Sequence, residues 1–182
     1  MNLVFIGFMG VGKTSVGRAV AGRLGRPFID TDASIEHALA MSVAEIFEKH
    51  GEALFREVEK GVVEEVARQK GCVIATGGGV VLDRENVDRL RKHGFLIHLT
   101  LTPETIYRRI GHRSDRPLLR GENPRQALTS LFQSRERLYR ACSDLTIDRN
   151  GLNVEETMEK VLALVASPEI RRRPQIGLVH GE

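Results

Sequence analysis

Tryptophan is absent from this 182-residue chain, which has only two tyrosines and seven phenylalanines. Aromatics at 5% are too few for the stacking platforms that hold single-stranded nucleic acid. Two cysteines, Cys72 and Cys142, supply neither a disulfide scaffold nor a cysteine-held metal cluster. Both read as small buried apolar side chains in a reducing compartment. No apolar run approaches the ~20 residues of a membrane helix. The opening Met1-Asn2-Leu3-Val4-Phe5-Ile6-Gly7 lacks a basic n-region, and glycines and Lys13 follow too soon for a signal peptide. The expectation is a cytoplasmic protein with no membrane partner.

Charge is plentiful. Lys+Arg number 27 against 24 Asp+Glu, and the hydrophobic share of 41% excludes a disordered chain. The length suits one compact domain. Between Tyr107 and Arg140 lie nine arginines against Asp115, Glu122 and Glu136, so that segment carries +6 while the rest sums to −3. Arginine in place of lysine favours planar, bidentate capture of phosphate or carboxylate. With aromatics scarce, small anionic ligands are the expected partners and nucleic acid is not.

Short apolar runs alternate with helical patterns, the signature of βαβ units and a parallel sheet. The strands expected are Leu3–Ile6, Phe28–Ile29, Val73–Ala75, Phe95–Leu99 and Leu145–Ile147. Several are apolar throughout, as in sheets covered on both faces. Val16, Val20 and Leu24 repeat at helical spacing after the first strand. Ser42-Val43-Ala44-Glu45 and Asn153-Val154-Glu155-Glu156 are capping boxes that open further helices. The domain is expected over 1–166, with 167–182, rich in Arg and Pro, as a mobile tail.

Gly7-Phe8-Met9-Gly10-Val11-Gly12-Lys13-Thr14 matches G-x-x-x-x-G-K-[ST] at every fixed position, between an expected strand and an expected helix. Glycines there let backbone N–H groups turn inward around phosphate oxygens, at the positive end of the next helix. Gly10, Val11, Gly12, Lys13, Thr14 and Ser15 would hold a nucleoside triphosphate, Lys13 on the β/γ-phosphates and Thr14 on Mg²⁺.

The loop does not name the acceptor of the phosphoryl group. A switch or motor normally supplies an acid at the end of a second apolar strand. Here Val73-Ile74-Ala75 runs into Thr76-Gly77-Gly78-Gly79, and the guanine-reading N-K-x-D pattern is missing. Asp30 is therefore the nearest metal-side carboxylate. Asp30-Thr31-Asp32 follows the second strand, at the edge where ligands of open α/β sheets bind. In extended chain, residues i and i+2 point the same way, so both carboxylates are expected to face one cleft. The alternative is an Asp turn that caps a helix near Ser34.

Five ordered motifs together resemble the shikimate kinase family. They are Gly7–Thr14, Asp30-Thr31-Asp32, Ile46-Phe47 through Phe55-Arg56-Glu57-Val58-Glu59, Thr76–Gly79, and Arg116-Pro117-Leu118-Leu119 followed by Arg135-Glu136-Arg137-Leu138-Tyr139. The resemblance implies a three-layer α/β P-loop kinase fold with a five-stranded parallel sheet, helices on both faces and a mobile lid at about 111–124. It implies transfer of the γ-phosphoryl of ATP to the 3-hydroxyl of shikimate, on the route to aromatic amino acids. Asp32 would then orient the reacting hydroxyl, and Asp30 would hold Mg²⁺ through water. Arg56 and Arg135 would clamp the shikimate carboxylate, and Gly77, Gly78 and Gly79 would present backbone N–H groups. Thr76 would stand in for the missing acid. Arg116 would close over the transferring phosphate as the lid arginine, and Arg109 would stack on adenine. The protein would act as a monomer. The rival readings are a gluconate-type kinase of the same fold and a non-catalytic nucleotide switch.

Overall fold

The computed structural model describes residues 1–110 and 123–167. Five strands form one sheet: β1 (Asn2–Ile6), β2 (Phe28–Asp30), β3 (Val73–Ala75), β4 (Gly94–Thr100) and β5 (Leu145–Asp148). Their order is β2-β3-β1-β4-β5, with every pairing parallel. Each strand contains the run expected from sequence and exceeds it by at most two residues.

The helices are α1 (Lys13–Leu24), α2 (Thr31–Leu39), α3 (Val43–Arg68), α4 (Arg84–His93), α5 (Pro103–Ile110), α6 (Pro124–Cys142) and α7 (Val154–Val165). They pack in groups: α1 with α7, α3 with α2 and α4, and α5 with α6. Every residue of β1 is buried. Because successive side chains point to opposite faces, both faces of the sheet must be covered. One continuous core follows, from Leu3 and Phe5 through Ile74, Leu96 and Ile97 to Val161. Each such side chain contributes roughly 1.5–3 kcal/mol by leaving water. Among the described residues, no helix is long and apolar enough to cross a membrane.

The capping boxes form as expected. The Ser42 hydroxyl accepts from the Glu45 N–H at 3.3 Å while Glu45 Oε2 accepts from the Ser42 N–H at 2.9 Å. Asn153 and Glu156 reproduce the arrangement at the start of α7.

Two features position the site. First, β1 lies at the centre, between β3 and β4, so the loops after β1 and β3 leave the same sheet edge side by side. Second, α2 and α3 enclose a small core of their own, Ile35, Ile46 and Phe55, packed by Phe47 and Val58. α3 is broken at Gly51, whose φ of 80° and ψ of 177° no helix contains. A glycine takes that conformation without a Cβ clash, and the chain bends there.

The expected lid lies outside the described residues from 111 to 122, and Arg116 with it. Pro124, at the expected end of that segment, is the first residue of α6. Proline suits that position, since its missing N–H would have no helical partner there. Of the expected tail, residues 168–182 also lie outside the described residues.

Candidate active site

The loop between β1 and α1 turns on glycines with positive φ: Gly7 at 140°, Gly10 at 78° and Gly12 at 88°. Gly12 is the cap of α1, so the first N–H groups of that helix open toward the loop. Lys13 Nζ donates to the carbonyls of Gly7 at 2.8 Å and Phe8 at 3.0 Å. The ammonium is thereby held across the mouth of the loop, with the side chain largely buried.

A cavity of about 490 Å³ opens over this loop. Gly10, Gly12, Lys13, Thr14 and Ser15 line it, joined by Asp30 and by Arg109 from the end of α5. Val11 is different: its side chain is wholly buried in the core, and only its main chain belongs to the loop. The Thr14 hydroxyl donates to Asp30 Oδ2 at 2.7 Å.

Asp30 and Asp32 reach the site by a route other than the expected extended strand. Asp30 ends β2 and caps α2, its Oδ1 accepting from the N–H groups of Asp32 at 3.1 Å and Ala33 at 3.3 Å. Asp32 is thus in the first helical turn, where a carboxylate is favoured by the helix dipole. The capped helix begins at Thr31, not near Ser34, because Asp30 has the free carboxylate that satisfies those N–H groups. The two acids still face one cleft, through a cap and a turn.

A second cavity of about 370 Å³ adjoins the first. Gly77, Gly78 and Gly79 line it from the β3 loop, Arg56 and Glu59 from α3, and Arg135 from α6. Met9, Asp32, Glu36 and Gly78 line both cavities. Glycine is required here for space. A Cβ at Gly77 would stand 2.6 Å from Asp32 Oδ1, and one at Gly79 would run into the Arg56 guanidinium.

Arg56 does pair along its helix, as an exposed arginine would, but its i, i+3 partner, Glu59, is not a surface group. Its Nη1 donates to Glu59 Oε2 at 2.7 Å, and its Nε and Nη2 reach Glu52 at 3.0 and 2.9 Å. Glu59 is 1% exposed. Burial opposes the Arg56 charge, yet Glu59 and Glu52 outweigh it and the pKa rises above its ordinary value. Burial pushes the Glu59 carboxyl up, Arg56 pulls it back, and Asp32 adds to the rise. Glu59 Oε1 has no hydrogen-bond partner among the described residues.

Thr76, 3% exposed, donates from its hydroxyl to the Phe5 carbonyl at 3.1 Å, so that proton is committed to the sheet.

One residue of the nucleotide side went unassigned in the sequence. Arg149, just past β5, is 2% exposed and donates from Nη1 to the Val11 carbonyl. A Cβ at Gly12 would collide with it. Burial, then repulsion from Arg109, brings its pKa down to about 10. No carboxylate among the described residues pairs with it, so an anion in the loop would be its natural counter-charge. A buried arginine without a carboxylate partner leaves no local pattern in the sequence.

The comparisons with known proteins agree with this geometry. A family model described as shikimate kinase matches residues 9–166. The shikimate kinase of Caldanaerobacter subterraneus subsp. tengcongensis is 50% identical over 161 residues, 88% of this chain and 94% of that one. A solved shikimate kinase from Acinetobacter baumannii, in complex with shikimate, superposes with a TM-score of 0.86 at 38% identity, covering 90% of this chain and 92% of that one. A gluconokinase from Sinorhizobium meliloti, at 18% identity and a TM-score of 0.55 over 91% of each chain, shares the fold alone. The chain therefore belongs to the shikimate kinase family.

Proposed function

We propose that the cavity over the β1–α1 loop takes ATP, that the adjoining cavity takes shikimate, and that the γ-phosphoryl passes between them to the 3-hydroxyl. Asp32 carries this reading: it lines both cavities and so stands where donor and acceptor would meet, whereas Glu36, the other carboxylate on both, is engaged by the Val43 N–H. The chain is an ATP-dependent phosphotransferase with an alcohol acceptor, as its family membership states.

In the transfer, a bond forms from the acceptor oxygen to the γ-phosphorus and the bond from that phosphorus to the β–γ bridging oxygen breaks. The hydroxyl proton goes to Asp32, late, because the transition state is loose and the oxygen needs little activation beforehand. Lys13 would exchange its loop carbonyls for β/γ-phosphate oxygens. The loop N–H groups would supply fixed positive charge to the phosphates, with Arg149 adding charge from behind the loop, and such charge acts most strongly once water is excluded. Arg109, at the rim of the same cavity, is the candidate for the adenine.

The acceptor side suits a hydroxylated carboxylate. Arg135 and Arg56 present planar guanidinium groups for the carboxylate. Glu59 Oε1 and Asp32 offer acceptor oxygens for ring hydroxyls. Thr14 and Asp30 fit Mg²⁺: a hydroxyl and a carboxylate oxygen 2.7 Å apart face the nucleotide cavity, and Mg²⁺ takes few protein ligands beside the phosphates. When bound, the ion neutralises charge on the β- and γ-oxygens. Arg116, in the lid, would add charge to the transferring group and close the site to water. The enzyme is read as a monomer of the cytoplasm, a reducing compartment that suits its free, buried Cys72 and Cys142.

An ADP-release assay with shikimate, gluconate and nucleoside monophosphates tests this reading. Shikimate alone should raise ADP release above the hydrolysis background. Release with gluconate equal to that with shikimate would overturn the acceptor assignment.

A further inference from the structure

Tyr139 is completely buried, yet its ring carries a hydroxyl where phenylalanine would fill the core as well. That hydroxyl donates to the Gly78 carbonyl. Arg135 stands one helical turn earlier on the same helix, α6, at the i, i+4 spacing that puts two side chains on one face. Gly78 is the middle of the three glycines that line the acceptor cavity, and Arg135 lines the same cavity from α6. The Tyr139 hydroxyl therefore ties the glycine wall to the helix that carries Arg135.

The ring has little freedom. His98 stacks on it with centroids 5.2 Å apart and planes 22° apart. His98 is itself fixed between Thr146, whose hydroxyl lies 3.5 Å from Nδ1, and Glu136, 3.6 Å from Nε2. Burial pushes the Tyr139 phenol far above its ordinary value, against the pull of Arg135, so the group stays protonated and stays a donor. Buried polar groups are costly unless satisfied, and this one is satisfied by the Gly78 carbonyl.

We propose that Tyr139 is a positioning residue for the acceptor: its hydroxyl ties the Gly78 peptide to α6 one turn after Arg135, so that the glycine wall and the Arg135 guanidinium grip the shikimate ring and carboxylate in one register. This inference rests on the acceptor assignment above. It gives the hydroxyl a task that core packing alone does not.

The test is Tyr139→Phe in the full chain, with thermal unfolding as a check on folding. The shikimate KM should rise about fivefold or more, while the ATP KM stays within about twofold. In an Arg135→Ala background, the effect of Tyr139→Phe on kcat/KM for shikimate should shrink to under about twofold, because the group it orients is gone. Equal rises in both KM values, an unchanged shikimate KM, or effects that simply multiply in the double variant would each reduce Tyr139 to a core side chain. Wild-type enzyme that ignores shikimate would instead overturn the acceptor assignment.

A second measurement holds if Tyr139→Phe fails to fold. The chain has two tyrosines, Tyr107 and Tyr139. Tyr107→Phe protein grown on 3-fluorotyrosine thus reports one ¹⁹F resonance. Shikimate should shift that resonance, and Arg135→Ala should abolish the shift. A resonance indifferent to shikimate would overturn the proposal.

Discussion

The hydroxyl of Thr14, in the first turn of α1, donates to Asp30 Oδ2 at 2.7 Å, while Asp30 Oδ1 caps α2. One carboxylate thus divides its two oxygens between a structural task and the nucleotide cavity. The division makes the metal role separable from the cap. Asp30→Asn keeps an amide oxygen for the cap and removes the charge. The Mg²⁺ concentration for half-maximal activity should rise about fivefold or more. Unfolding free energy should change by less than about 1 kcal/mol, the usual worth of a cap. Mg²⁺ titrations of activity beside urea unfolding check both, and an unchanged Mg²⁺ requirement would remove Asp30 from the metal shell.

The triple glycine makes a prediction about order. Gly79 faces the Arg56 guanidinium so closely that a methyl group must displace it, whereas a Cβ at Gly78 meets its nearest neighbour, the Met9 nitrogen, at 3.4 Å. Neither residue has a positive φ, so alanine is tested for space and not for backbone strain. Gly79→Ala should weaken shikimate binding by about tenfold or more, roughly 1.4 kcal/mol. Gly78→Ala should cost less than half that free energy. Isothermal titration gives both values, and a reversed order would show that Arg56 does not sit against this loop when substrate binds.

Much of this was legible in the sequence because its signals are local. Apolar runs flanked by turn residues fixed the five strands, and the pairs Ser42/Glu45 and Asn153/Glu156 each closed a capping box within four residues. The nucleotide loop was legible for the same reason. Asp30-Thr31-Asp32 was ambiguous, since the same three residues serve an extended strand or a capped first turn; the N–H groups of α2 decide for the cap. The contacts that no window reveals span the chain. Tyr139 and Gly78 are 61 residues apart, and Arg149 reaches Val11 across 138. Arg149 also contradicts the rule that arginines stay exposed, and only the folded loop explains its burial.

Asp32 separates a kinase from a nucleotide binder. Asp32→Asn preserves shape and one acceptor oxygen but removes the proton acceptor. ATP affinity should remain within about threefold, and kcat should fall by about 10² or more, the range of a lost general base. Transfer to shikimate at close to the wild-type rate would leave Asp32 no more than a first-turn acid of α2.

His98 makes the fold sensitive to acid. It is 1% exposed, and burial, then Arg140 and Lys13, lowers its pKa to about 4. In the unfolded chain the same imidazole titrates near its ordinary value of 6.5. Between these values the unfolded state binds a proton that the folded state refuses, so stability rises with pH across the window and falls as the solution is acidified through it. The depressed imidazole costs the fold nothing above pH 6.5 and on the order of 3 kcal/mol by pH 4. His98→Phe keeps a ring beside Tyr139 and removes the titration. Its absolute stability is not the readout, because the contact with Thr146 is lost as well. The slope is the readout: urea unfolding from pH 7 to 4 should show the wild type losing about 2–3 kcal/mol more than the variant. Parallel slopes in the two proteins would mean that His98 accepts its proton without unfolding, with Glu136 as the partner that receives it.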